Sequence, residues 1–147
     1  MIKTRIPLPE NDEYLKLLGV ALYMFNYNNS SIIEAILSND TNGNHNWYDL
    51  IDVTSGKMRQ PAEKAIIQNA NSKELAKQIL TMHEELIRMR NRIIHSYPTG
   101  VSDEYSSGLL YTKDKEHNQY VVGKEYLEDF IKKNDEFAEL LSKFRGH

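Results

Sequence analysis

The chain has 147 residues, 40% hydrophobic and 27% charged, which is the size and make-up of one globular domain and excludes a disordered tail. It contains no cysteine, which excludes a disulfide scaffold, a thiol nucleophile and any Cys-ligated metal or iron–sulfur centre. Lys and Arg number 18 against 21 Asp and Glu, a formal charge of −3, so any nucleic-acid contact must come from a local patch.

The opening segment, Met1 to Glu10, carries Lys3 and Arg5 but no continuous apolar stretch and no small-residue cleavage site. No run approaches the roughly eighteen apolar residues needed to cross a bilayer. A soluble, cytoplasmic chain forming one domain over residues 1–147 is expected, with no membrane partner. The N-x-Ser/Thr triplets at Asn28, Asn29 and Asn39 carry no meaning in that setting.

The first long element follows Pro7-Leu8-Pro9. Asn11 or Asp12 can cap it, and Tyr14, Leu17, Leu18, Ala21, Leu22 and Phe25 recur at helical spacing. Ile32, Ile33, Ile36 and Leu37 continue the face, with a possible break at Asn28-Asn29-Ser30. Asn39 to Trp47 reads as a polar loop that Trp47 anchors to the bundle. A second helix spans about Ser55 to Asn69 and either starts near Pro61 or is kinked there. The third is the clearest: Ser72 caps it, and Leu75, Ile79, Met82, Leu86, Met89 and Ile93 step by fours and threes. Pro98 stops it around Ile94 to Ser96, and Tyr97 before that proline is biased to extended backbone. Leu109 to Thr112 and Gln119 to Val122, joined by the polar turn Lys113 to Asn118, predict a β-hairpin. A last helix spans about Lys124 to Phe144, with Tyr126 or Leu127, Phe130, Ile131, Phe137, Leu140, Leu141 and Phe144 inward. The expected fold is all-α: an antiparallel four-to-five-helix bundle with a small β-hairpin inserted before the last helix.

One stretch asks for a chemical explanation, Arg88-Met89-Arg90-Asn91-Arg92-Ile93-Ile94-His95-Ser96-Tyr97-Pro98. Cations at a helix C-terminus are favoured by a few tenths to about 1 kcal/mol, so capping charges on a solvated face are the plain account. The chemical account rests on imidazole, which takes and gives a proton near neutrality, and on guanidinium, whose planar fork fits phosphate oxygens. Together they can cut RNA by drawing the 2′-hydroxyl proton while stabilising the pentavalent phosphorane. Arg90 and His95 are five residues apart, about 140° around an ideal helix, so one chain makes a poor closed site. Two chains packed along their third helices would bring both pairs into one cleft.

Arg90-Asn91-Arg92-Ile93-Ile94-His95 matches the Arg-(polar)-x-x-x-His signature of HEPN domains, and His95-Ser96-Tyr97 extends it to the Arg-x4-His-x-Tyr form of HepT-like toxins. The chain thus resembles the HEPN family, in specific identity over Arg90 to Tyr97 and in helical layout over most of its length. The resemblance implies a homodimeric bundle with metal-independent endoribonuclease activity, no cofactor and no metal, leaving 2′,3′-cyclic phosphate ends. It implies that Arg90 steadies the phosphate, that His95 is the general base or acid, and that Asn91 holds the motif or substrate in place. Arg88 and Arg92 are then supporting, RNA-binding residues. Tyr97 matches the tyrosine that, in the HepT-like branch, a partner nucleotidyltransferase modifies with AMP to silence the toxin. Two features depart from the pattern. Arg88 also satisfies an Arg-x6-His spacing, and the expected hairpin is not part of the compact HepT core.

Other candidates are weaker. Ser55-Gly56-Lys57-Met58 lacks the earlier glycine and following Ser/Thr of a phosphate-binding loop, and His83-Glu84 has no second His four residues on. His83 and Glu84 are expected as exposed polar groups of the helix, and His45, His117 and His147 as surface residues. Tyr14, Tyr23, Phe25 and Tyr27 are expected as core and interface rather than a base-stacking platform. The acidic outer side of the last helix (Glu125, Glu128, Asp129, Asp135, Glu136, Glu139) should lie away from any RNA cleft. Three functions stay open: a ribonuclease acting as a toxin or phage-defence effector restrained by an antitoxin; a HEPN-like domain that binds RNA, nucleotide or a partner protein without cutting; and an interaction bundle in which Arg90 and His95 only cap a helix and pair with the acidic last helix.

Overall fold

The computed structural model describes residues 2–40, 43–52, 57, 59–98 and 108–146. Among the described residues five helices, α1 (Asp12–Ser38), α2 (Trp47–Asp52), α3 (Arg59–Asn69), α4 (Lys73–Ile94) and α5 (Lys124–Phe144), surround one core, and three short strands, β1 (Tyr97–Pro98), β2 (Leu110–Lys113) and β3 (Gln119–Val122), lie between α4 and α5. The expected helical bundle with a hairpin before the last helix is what the chain forms. Among the described residues no helix is long and apolar enough to cross a membrane.

Local chemistry accounts for the boundaries. Asn11 caps α1, its side chain accepting the Tyr14 N–H, and Ser72 caps α4 by accepting the Leu75 N–H at 3.0 Å. Helix α3 starts at Arg59, which puts Pro61 in the first turn, where a missing N–H costs nothing. Part of the expected earlier start, and most of Ser55-Gly56-Lys57-Met58, lies outside the described residues. The possible break in α1 is absent: the helix continues through Asn28-Asn29-Ser30. Asn28 is buried and turns its side chain onto α5, Nδ2 donating to the Asn134 carbonyl at 2.9 Å and to Asn134 Oδ1 at 3.0 Å. A polar residue in mid-helix here links two helices instead of ending one.

The core draws on α1, α3, α4 and α5: Phe25, Ile32 and Ile33 of α1, Ile66 of α3, Ile79 and Leu86 of α4, and Leu127, Phe130 and Phe137 of α5. Phe25 and Phe130 stack with centroids 6.1 Å apart. Two expectations need correction. Trp47 opens the short α2 and is half out in solvent, while the buried Leu50 anchors that segment. Tyr23 and Tyr27 are exposed, and only Tyr14 and Phe25 of the α1 aromatics enter the core.

The hairpin begins one residue later than its expected start and belongs to a three-stranded antiparallel sheet in the order β1-β2-β3. Tyr97 pairs with Tyr111, and Tyr111 pairs with Val121. Extended backbone before Pro98, anticipated from proline sterics, is what lets the chain leaving α4 pair with β2. Tyr14 fastens the sheet to the bundle. Its buried hydroxyl donates to the Val122 carbonyl at 2.6 Å and accepts the Leu110 N–H at 3.0 Å. Burial pushes its phenol above the ordinary value, and the Leu110 bond only partly offsets this.

Candidate functional site

Helix α4 buries Ala76, Ile79, Leu86, Met89 and Ile93, which leaves Glu84, Arg88, Asn91 and His95 as a stripe along one flank. Opposite this flank stands the hairpin, with Thr112, Lys113, Asp114, Lys115 and Tyr120. Between the two walls lies an open cleft of about 560 Å³, with Ile87 and Arg92 completing its α4 side. No residue of the acidic α5 lines it, as the position of that helix away from a cleft requires.

His95 is the C-cap of α4. Its N–H donates to the Asn91 carbonyl at 2.9 Å, and Ser96 Oγ donates to the Ile93 carbonyl at 2.6 Å, so the last turn is closed before the backbone extends into β1. The His95 side chain is exposed at the mouth of the cleft and has no partner among the described residues. Tyr126 steadies this turn from α5, its hydroxyl donating to the Met89 carbonyl at 2.9 Å. Burial pushes the Tyr126 phenol up to about 12, against the lowering charges of Arg92, Arg88 and Lys133.

Charge in the cleft is predominantly positive. Arg88, Arg92, Lys113 and Lys115 face Glu84 and Asp114, and the C-terminus of α4 adds carbonyl dipoles that favour cations there. Asp114 is engaged in its own turn: one oxygen accepts the N–H groups of Glu116 and Asn118 at 2.9 Å, the other the Asn118 amide at 3.2 Å and the Tyr120 hydroxyl at 3.1 Å. Desolvation works to raise its carboxyl, but the bonds from Asn118, Tyr120 and Glu116 outweigh it and hold the group below the ordinary value. The same contact, first through the hydrogen bond and then through charge, holds the Tyr120 phenol above its ordinary value. The Arg92 guanidinium lies over the Tyr120 ring at 5.3 Å.

Arg90 lies elsewhere. Its half-buried guanidinium sits 5.7 Å from the centroid of Phe25 on α1, with Nη1 donating to Asn91 Oδ1 at 3.3 Å. The cleft therefore joins His95 to Arg88, Asn91 and Arg92, while Arg90 stands on the α1 side of the same helix, as the 140° estimate requires. Tyr97 is partly exposed in β1, and Lys113 Nζ lies 5.9 Å over its ring.

His83 overturns its expectation. It is 4% exposed, its ring stacks on Phe137 at 5.8 Å, and Nε2 has no hydrogen-bond partner. Burial lowers its pKa from 6.5 to about 4. His45 is half-exposed, its N–H donating to Asp40 Oδ2 at 2.7 Å, and His117 is exposed in a left-handed turn conformation at φ 68°. His147 lies outside the described residues. Sequence reasoning missed the second wall. Lys113, Lys115 and Tyr120 read as part of an ordinary hairpin, and the available signal was two lysines spaced by two residues beside a strand Tyr. Among the described residues no group of three or more His, Asp or Glu side chains is placed to hold a metal ion.

In comparisons with known proteins, no family model, no curated protein and no solved structure matches the chain.

Proposed function

We propose that this chain is a metal-independent endoribonuclease of the HEPN type, cutting RNA by attack of a 2′-hydroxyl on the adjacent phosphate, and that it serves as a toxin or phage-defence effector restrained by an antitoxin or nucleotidyltransferase partner. The observation that carries the reading is the meeting of His95 with Arg88, Asn91 and Arg92 in one open, predominantly cationic cleft. His95 takes the 2′-hydroxyl proton or returns one to the leaving 5′-oxygen. Arg88 and Arg92 neutralise charge growing on the phosphorane, which is where fixed guanidinium groups contribute most. Asn91 holds the scissile unit against them. In a homodimer packed along α4, Arg90 of one chain would complete the cleft of the other.

The test is incubation of total cellular RNA with purified protein in excess chelator, beside His95→Ala, Arg90→Ala and Arg88→Ala. Cyclic-phosphate ends from the wild type, lost in His95→Ala, are the expected result. Intact RNA in every lane, at protein concentrations that bind RNA, sinks the cleavage reading. A second reading is a HEPN-like domain that binds RNA, nucleotide or a partner protein in this cleft without cutting. One observation favours it: Arg90 is seated on Phe25, away from His95.

A further inference from the structure

We infer that the β2–β3 hairpin is a built nucleotide subsite, in which Tyr120 stacks the base next to the scissile bond while Lys113 and Lys115 hold that nucleotide's phosphate. The inference rests on the reading of the cleft as an RNA site, but on residues outside the Arg90-to-Tyr97 motif. Tyr120 is 41% exposed on the cleft wall, and with the Arg92 guanidinium 5.3 Å over one face of its ring, a base would stack on the other face. It is also held in place, because its hydroxyl bonds to Asp114, whose carboxylate is itself fixed by Asn118 and Glu116. An aromatic ring locked by its own tip loses little freedom when a base covers it, which is the condition for a good stacking platform. The Arg92 guanidinium across the ring adds a second planar cation for the base or its phosphate.

The lysines fit the same occupant. Lys113 and Lys115 stand at the end of β2 and in the turn after it, on the wall opposite Arg88 and His95. Asp114 between them is occupied by four hydrogen bonds, and both lysines line the cleft, with the Lys113 ammonium 5.9 Å from the centroid of the Tyr97 ring. A phosphate held there and another held by Arg88 would lie on opposite walls of the cleft. That arrangement suits a strand running across the cleft with one base turned onto Tyr120.

The experiment uses the full chain and a fluorescent ten-nucleotide 2′-O-methyl RNA of mixed sequence, which binds but offers no 2′-hydroxyl to attack. Affinity is measured from low to moderate salt for wild type, Lys113→Ala/Lys115→Ala, Tyr120→Leu and Tyr120→Phe, with cleavage of unmodified RNA measured in parallel. Tyr120→Leu should weaken binding on the order of tenfold at every salt concentration, and Tyr120→Phe, which keeps the ring but loses its anchor to Asp114, should weaken it less than Tyr120→Leu does. The double lysine variant should lower the slope of log affinity against log salt by about 0.7, the value for one phosphate contact on a single strand. Wild-type affinity and slope in both Tyr120→Leu and the lysine variant overturn the subsite, as does a wild-type protein that does not bind the oligonucleotide. Hairpin-dependent binding without cleavage of unmodified RNA keeps the subsite and overturns the ribonuclease reading. Cleavage at wild-type kcat/KM in the hairpin variants does the reverse.

Discussion

His83 and His95 sit twelve residues apart on the same helix and have opposite surroundings. His83 is sealed between α4 and α5 against Phe137, with a bare Nε2 and a pKa lowered to about 4. His95 closes the helix and stands exposed in a cleft beside two arginines. The first imidazole is held neutral at physiological pH by its burial and packs its ring on Phe137. The second is reachable by a ligand. Position along one helix, relative to what packs on it, separates a structural histidine from a candidate acid–base group.

The largest effect separating the two should appear in catalysis. On the ribonuclease reading, His95→Ala lowers cleavage by about 10²–10⁴-fold with a denaturation midpoint within about 0.5 kcal/mol of wild type. A large loss of folding in that variant would instead make His95 structural. The next effect belongs to His83. Its unfolded form takes a proton near 6.5 and its folded form only near 4, so between those values the unfolded state holds more protons and stability falls as pH falls. The full loss from above pH 6.5 to below pH 4 is about 3 kcal/mol, read by urea denaturation across that range. His83→Leu should flatten this dependence, and an unchanged slope in that variant would show that other groups carry it.

Smaller effects sharpen the boundary between bundle and cleft. Tyr14→Phe leaves the Leu110 N–H and the Val122 carbonyl without their buried partner, a cost of about 1–3 kcal/mol. Faster hydrogen exchange at the Leu110 amide would locate the damage at the hairpin. Exchange unchanged there would mean that the sheet holds itself without α1. The smallest difference is between two arginines of α4. Arg90→Ala gives up a cation–ring contact with Phe25 and should cost about 0.5–1 kcal/mol, whereas Arg88→Ala, which is exposed, should stay within about 0.5 kcal/mol. Equal costs in thermal denaturation would remove the distinction.

Helix ends and the apolar stripes were legible because their causes are local. A serine accepting an N–H three residues on, a proline that cannot follow a helical residue, and apolar residues every three or four positions act within one turn or two. Thus Ser72, Pro98 and the span Lys124–Phe144 come directly from the residues. The stripe on α4 was less well placed. Taken as a narrow seam it runs through Met82, but α4 is covered by both α3 and α5, so its buried arc is wider and takes in His83 while Met82 is only half-buried.

By itself the sequence determined an all-helical bundle interrupted by a hairpin, and a concentration of Arg, Asn and His at the end of its third long helix. The separation of Arg90 from His95 also follows from helical geometry alone. Tertiary structure alone decided which cations share a cleft, that Lys113, Lys115 and Tyr120 form its second wall, and that His83 is buried. The physical reason is range: periodicity and caps are set by neighbours within a turn, whereas burial and the meeting of two walls depend on segments far apart in the chain, such as Tyr14 bonded to Leu110 and Val122, 96 and 108 residues away, and β1 paired with β2.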